Sequence, residues 1–356
     1  MMHFRPATDA DADAWQAHLA ATASADFLHD WAWAQVAAFD GQPQRRYVLE
    51  ADGVVVGIAA AQARPLLGGR EFWYVPHGPV LDYRDPRAGD RLRAMRIGLH
   101  NAAAQHTAIA VKLEPRLAAD DPDLTVFEAR GLRRRPETLQ VRHTRIVELA
   151  DDEMLLAGFD KDTRYGVRRA EREGVEVTAV DDAADERAID DLHGLVEETQ
   201  RRAGFPLPPL ARYRIAWRAL AGAGRAVILE ARREGELLAS GMVVIEGDRS
   251  FYLFSGSRRE ERGEPKRYAS YALQWAMMRL ARDRGVRQHD LWGIAPPGSD
   301  ERHPWHGVGL FKKGFGGREV EWAGSWDMVV DPTLYRLRAA TGIARGWLRA
   351  ARRLGR

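Results

Sequence analysis

The sequence contains no cysteine. That excludes a disulfide scaffold, a thiol nucleophile and thiolate-held metals, and it fits a reducing compartment. No apolar stretch reaches the ~18 residues of a membrane-spanning helix. The opening MMHFRPATDADADAW also lacks the apolar core of a secretion signal. No G-x-S-x-G or H-E-x-x-H string occurs, so neither a nucleophile-elbow serine nor a helix-borne zinc site is spelled out. The expectation is a cytoplasmic protein with no metal.

What is present is an ordinary globular composition, 45% hydrophobic and 29% charged over 356 residues. That length exceeds the ~250–300 residues at which single cores split, so two domains are expected. Net charge is only +2, but its distribution is uneven. GLRRRPETLQVRHTR and KDTRYGVRRAERE crowd cations into the middle of the chain. After Asp331 the tail carries seven arginines and no acid. Clustered arginine suits phosphate-rich partners such as nucleotide, RNA or anionic lipid. Arginine used simply for solubility explains any single cluster equally well.

One long-range self-similarity organises the chain. VLEADGVVVGIAAAQARPLLGGREFWYVPHGP begins at Val48, and ILEARREGELLASGMVVIEGDRSFYLFSGS begins at Ile228. Each reads as strand, polar turn, apolar strand, second turn and aromatic strand. Glu50 precedes Glu230 by 180 residues, and Phe72 precedes Phe251 by 179. A helical apolar pattern and a short strand follow each, in RLRAMRIGLHNAAAQHTAIAVKLEP and YALQWAMMRLARDRGVRQHDLWGIAP. Helical sequence precedes both. The order helix–helix–strand–strand–strand–helix–strand is that of a GNAT acyltransferase unit. The expected fold is therefore mixed α/β, a tandem duplication of a GNAT-like domain. The units are expected at residues 1–150 and 151–331, with a basic helical tail over 332–356. No sustained heptad pattern appears, so no coiled-coil arm is expected.

Seven local strings stand out: FLHDWAWAQV (27–36), FWYVPHGPVLD (72–82), KDTRYGVRRAEREGV (161–175), ETQRRAGF (198–205), FYLFSGS (251–257), HDLWGIAP (289–296) and GLFKKGFGG (309–317). In this order, over nearly the whole chain, they resemble the FemABX family of aminoacyl-tRNA-dependent peptidoglycan peptidyltransferases. The resemblance implies transfer of an amino acid from charged tRNA to the stem peptide of a peptidoglycan precursor, forming the interpeptide bridge. Implied partners are aminoacyl-tRNA and a UDP-linked or lipid-linked precursor. No cofactor is implied beyond the tRNA co-substrate. The residues agree with this chemistry, because the tRNA ester is already activated and positioning can supply much of the catalysis. No protein nucleophile is needed.

The resemblance also implies site residues. Lys312, from the F-K-x-G-F-G-like stretch, would stand at the catalytic centre, where its ammonium stabilises developing negative charge. Lys313 is a weaker substrate-binding candidate: in an extended segment it would point the other way. Both lysines could instead line an exposed loop. Arg202 and Thr199, from T-x-x-R-x-G-F, would bind a precursor phosphate, since the guanidinium fork takes two oxygens. The adjacent Arg201 allows a slip of one, and a surface arginine near a helix end is the plain alternative. Tyr252 and Phe254 are substrate contacts on one face of the aromatic strand, or simply core. Trp33 is a further substrate-binding candidate. Glu114 in VKLEP is the second catalytic candidate, orienting the attacking amine or relaying its proton. An ion pair with Lys112 is its equal alternative. Ala37 follows WAQV where some family members carry a phosphate-binding lysine.

The basic tail could lie on the inner face of an anionic membrane, dock on the second unit, or meet tRNA. A monomer is expected. Two other classes compete: an acyl-CoA-dependent N-acyltransferase, and a protein that binds precursor or tRNA without turnover. Neither repeat shows a convincing pyrophosphate-binding R/Q-x-x-G-x-G/A turn, which counts against the first.

Overall fold

In a computed structural model of the chain, residues 2–128, 131–135, 137–203, 207–258, 268–303, 305–338 and 340 are described. They form two mixed sheets covered by helices. The first sheet runs in the order β1 (Met2–Pro6), β2 (Gln44–Ala51), β3 (Val54–Pro65), β4 (Glu71–His77), β6 (Ala108–Pro115), β15 (Ser325–Val329), β7 (Leu132–Arg135). The short β5 (Val80–Leu81) pairs with β3. The second sheet runs β9 (Glu176–Val180), β10 (Ala226–Arg233), β11 (Glu236–Glu246), β12 (Arg249–Ser257), β13 (Gln288–Gly293), β8 (His143–Glu148), β14 (Arg318–Glu321). The helices are α1 (Ala12–Ala21), α2 (Ala34–Phe39), α3 (Ala88–Gln105), α4 (Asp152–Gly158), α5 (Lys161–Arg172), α6 (Glu186–Ala203), α7 (Leu210–Gly222), α8 (Ala269–Asp283) and α9 (His306–Gly314).

The internal repeat is real in three dimensions. β2–β3–β4 and β10–β11–β12 are antiparallel meanders, each followed by a helix and a strand parallel to the third. The central strands read as near-continuous apolar runs because both faces are covered. In β3, Ile58 and Ala60 pack under Trp15 and Leu19 of α1, while Ala59, Ala61 and Ala63 face Met95, Leu99 and Ala103 of α3. In β11, Met242 and Val244 meet α6 and α7, while Ala239 and Val243 meet α8. Alternate side chains of a strand point to opposite faces, so one run serves two cores.

The sheets do not respect a cut at residue 150. β8 precedes it yet lies between β13 and β14 of the second sheet, and β15 lies beside β6 in the first. Each sheet thus lends or borrows a strand at the same place, next to its parallel strand. The N-terminal turns cross over as well: Phe27, Leu28, Trp33 and Val36 pack with Ile189, Leu192, Tyr213 and Trp217 of α6 and α7.

Three local expectations need correcting. The lysine-bearing stretch is helical, not extended: α9 ends at Gly314, and Phe311 and Phe315, four apart, pack on Tyr271. The following glycines take left-handed φ values of 73° and 71°, and a Cβ would lie 2.4 Å from the Gly158 carbonyl oxygen at Gly316 and 2.3 Å from that of Ile146 at Gly317. Only glycine fits so near a neighbouring backbone. Second, Tyr252 and Phe254 do not share a face. The register with β11 slips between Met242 and Val243, a β-bulge that leaves Leu253 without an opposite residue. Tyr252 joins the α8-side cluster and Phe254 the α6/α7-side cluster. Third, Lys112 pairs not with Glu114 but with Asp327 of the borrowed strand β15, at 2.7 Å.

Candidate active site

Phe311 and Phe315 seat one side of α9 in a cluster with Phe159 and Tyr271. Lys312, about 100° further round the helix, is turned inward and is only 6% exposed. Its ammonium donates to the Gly293 carbonyl at 2.7 Å and the Trp292 carbonyl at 3.3 Å. The Tyr252 ring centroid lies 5.8 Å away. Burial pushes the Lys312 pKa down to about 7, partly opposed by Asp290. Near neutrality this amine can therefore be charged or free, and such perturbed values cluster at functional sites. Lys313 is exposed.

The two carbonyls that receive Lys312 end β13. Trp292 has a left-handed φ of 62°, and its N–H donates to Asp290 Oδ1 at 2.8 Å. Thr144 of β8 also donates to that oxygen, and Arg116 donates to Oδ2 at 2.9 Å. Arg116 comes from the first unit, two residues after Glu114. Its guanidinium lies 4.6 Å from the Trp322 ring centroid and 5.4 Å from that of Phe251.

Glu114 is buried at the end of β6. Its Oε2 accepts from the Tyr74 hydroxyl at 2.8 Å and the Leu139 N–H at 3.0 Å, and its Oε1 accepts from the Gln140 N–H at 3.0 Å. A carboxylate offers about four acceptor positions, so the three donors found among the described residues leave one on Oε1. The next residue, Val141, stands against Gly293: a Cβ there would come within 2.9 Å of the valine side chain. Residues 139–141 thus bind Glu114 on one side and abut the Lys312 carbonyl cradle on the other. Burial and the neighbouring Glu114 charge push the Tyr74 hydroxyl pKa well up. Tyr252 is likewise pushed up by burial, to about 12.

The remaining candidates lie elsewhere. The Thr199 hydroxyl donates to the Leu195 carbonyl at 2.9 Å and accepts from the Ser257 N–H at 3.3 Å, joining α6 to the end of β12. Arg202 sits in the last turn of α6, and its side chain is outside the described residues. Trp33 is core, edge-on to Phe27 at 5.1 Å, and Phe254 packs on Tyr213 at 4.3 Å. The tail beyond residue 340 is outside the described residues.

The strings HDLWGIAP and VKLEP do not by themselves single out Asp290 or the Arg116 that follows. Nor does any string mark the buried Asp26–His77 pair. The only signal was a charged residue inside an apolar string. Among the described residues, no group of three or more His, Asp or Glu is placed to hold a metal. No described helix is long and apolar enough to cross a membrane.

The model of the FemAB family matches residues 223–341. A UDP-N-acetylmuramoylpentapeptide-lysine N(6)-alanyltransferase of Weissella viridescens is 25% identical over 319 residues, covering 86% of this chain and 90% of that protein. A lipid II:glycine glycyltransferase of Staphylococcus aureus (strain USA300) is 23% identical over 391 residues, covering 88% and 90%. The crystal structure of FemX superposes with a TM-score of 0.85 at 21% identity, over 94% of this chain and 99% of that one. These matches agree with the seven strings and the doubled GNAT-like unit in likening the chain to the FemABX family.

Proposed function

We propose that this protein transfers an aminoacyl group from aminoacyl-tRNA to an amine on the stem peptide of a peptidoglycan precursor. Two relatives spanning most of the chain are named as a UDP-N-acetylmuramoylpentapeptide-lysine N(6)-alanyltransferase and a lipid II:glycine glycyltransferase. The observation that carries the reading is Lys312, a buried amine with its pKa brought to about 7 beside the junction with the first unit. The acceptor amine attacks the ester carbonyl carbon, the C–N bond forms, and the C–O bond to the tRNA ribose breaks. The proton leaving the amine passes to the departing ribose oxygen. The charged form of Lys312 stabilises the oxyanion. Glu114, with one acceptor position free, orients the amine and relays its proton.

Arg202 binds the precursor phosphate, Thr199 ties the α6 turn that carries it to the end of β12, and Tyr252 lines the site. No cofactor takes part. The two GNAT-like units exchange strands, β8 going to the second sheet and β15 to the first, and the basic tail contacts the inner face of the plasma membrane. The enzyme works as a cytoplasmic monomer.

The test is transfer of radiolabelled amino acids from a charged total tRNA pool to purified nucleotide-linked and lipid-linked precursors. Label reaching a precursor, and abolished in Lys312→Ala and Arg202→Ala, is the expected result. Intact charged tRNA with no label on either precursor would refute the reading.

A further inference from the structure

Glu114 and Lys312 lie on different units, yet a catalytic pair must keep a fixed relation. The connection runs through a buried ion pair that the reaction itself does not need. Arg116 and Asp290 are 6% and 2% exposed and bond at 2.9 Å across 174 residues of sequence. Asp290 then holds the N–H of Trp292 at 2.8 Å, and Trp292 and Gly293 supply the carbonyls that bind Lys312. A left-handed φ costs about 1 kcal/mol or more for a bulky residue, so the turn at Trp292 needs a fastening. Asp290 provides it.

We propose that Arg116 and Asp290 are positioning residues that register the first unit against the Lys312 cradle and hold the lysine's proton in balance. Asp290 faces the ammonium through the turn and favours its charged form. Arg116 neutralises Asp290 and limits that effect. Removing each partner should therefore move Lys312 in opposite directions, which a merely structural pair would not do. The other charged or titratable groups facing this region include the buried Asp26–His77 pair, with His77 5.9 Å from the Trp292 ring, and Arg249, which like Asp26 acts on Arg116 through its charge. Tyr252 on β12 stays neutral up to about pH 12. His143 at the start of β8 has its pKa lowered by burial. Asp160, the cap of α5, faces Gly314, and Lys313 is exposed.

The chain has five lysines, at 112, 161, 266, 312 and 313. Lysine-selective ¹³Cε labelling of the full chain therefore gives five resonances, with Lys312 assigned by its loss in Lys312→Met. Titrated without substrate, wild-type Lys312 should turn over near pH 7. Asp290→Asn should lower that midpoint, and Arg116→Met should raise it. If Arg116→Met does not fold, Arg116→Gln removes the same charge, keeps a donor for Asp290, and must shift the midpoint the same way. Unmoved midpoints in folded variants would overturn the proposal. So would shifts of both variants towards the ordinary lysine value, which would mean simple exposure to water.

The functional meaning of the pair rests on the transfer reaction proposed above, but the titration needs no substrate, so the two can fail separately. If transfer is observed, Asp290→Asn should lower kcat with KM unchanged and move the alkaline limb of the pH profile to lower pH.

Discussion

Replacing Lys312 by methionine should stabilise the fold in acid and progressively lose that advantage as the pH rises. The amine is buried, and its pKa falls from 10.5 to about 7. That difference corresponds to about 5 kcal/mol of cost for carrying the charge inside the fold. Below pH 7 both folded and unfolded chains hold the proton, and the cost is constant. Between 7 and 10.5 the unfolded chain holds more protons than the folded one, so wild-type stability climbs with pH. The climb is about 1.4 kcal/mol per pH unit at most, or roughly 2 to 3 kcal/mol from pH 7 to 9. Methionine has no proton to exchange. It also leaves the Trp292 and Gly293 carbonyls without their donor, a loss that does not vary with pH. Urea unfolding of both proteins at pH 6, 7, 8 and 9 reads the difference directly. Stability curves that stay parallel over this range would refute a buried, neutral-poised lysine.

Glu246 should show the opposite dependence. It is fully buried, and burial with the nearby Asp30 charge pushes its carboxyl up to about 8. The folded chain keeps a proton that the unfolded chain has released, so wild-type stability should fall relative to Glu246→Gln between pH 4.5 and 8, measured by the same unfolding series. Glu114→Gln places an amide donor against N–H and O–H donors, which should cost about 2 kcal/mol and raise amide hydrogen exchange at Leu139 and Gln140. Unchanged protection there would remove Glu114 from its role in holding that segment. Gly316→Ala should lower thermal stability by the equivalent of about 1–3 kcal/mol, because its φ is 73° and its Cβ would lie 2.4 Å from the Gly158 oxygen. Gly307→Ala, with nothing within 4 Å of the added carbon, should be close to neutral.

Much of this architecture was legible in the sequence because its signals are local. Hairpin turns, apolar strands and the helix that returns each meander are written within short windows, and a repeat offset near 180 residues shows them twice. The prominence of Lys312 came from its string and from resemblance, while α9 itself was missed. The Phe311–Phe315 spacing carried a helical signal, but the glycines around it suggested a turn. The bulge at Leu253 left no mark in an aromatic strand whose alternation looks regular. Trp33 reads as an exposed-site aromatic only until α6 and α7 arrive to cover it.

By itself, then, the sequence determined the duplicated α/β unit, the absence of thiol chemistry and the stretch that carries the lysine. Tertiary structure alone decided which strand lies beside β6 and β13, why Lys312 is neutral-poised, and that Arg116 and Asp290 meet. Strand patterns say that a strand wants an edge, not which edge, and a pKa depends on burial and on charges brought close by folding. Partners separated by 174 residues are chosen by the packing of two whole units, which no local window contains.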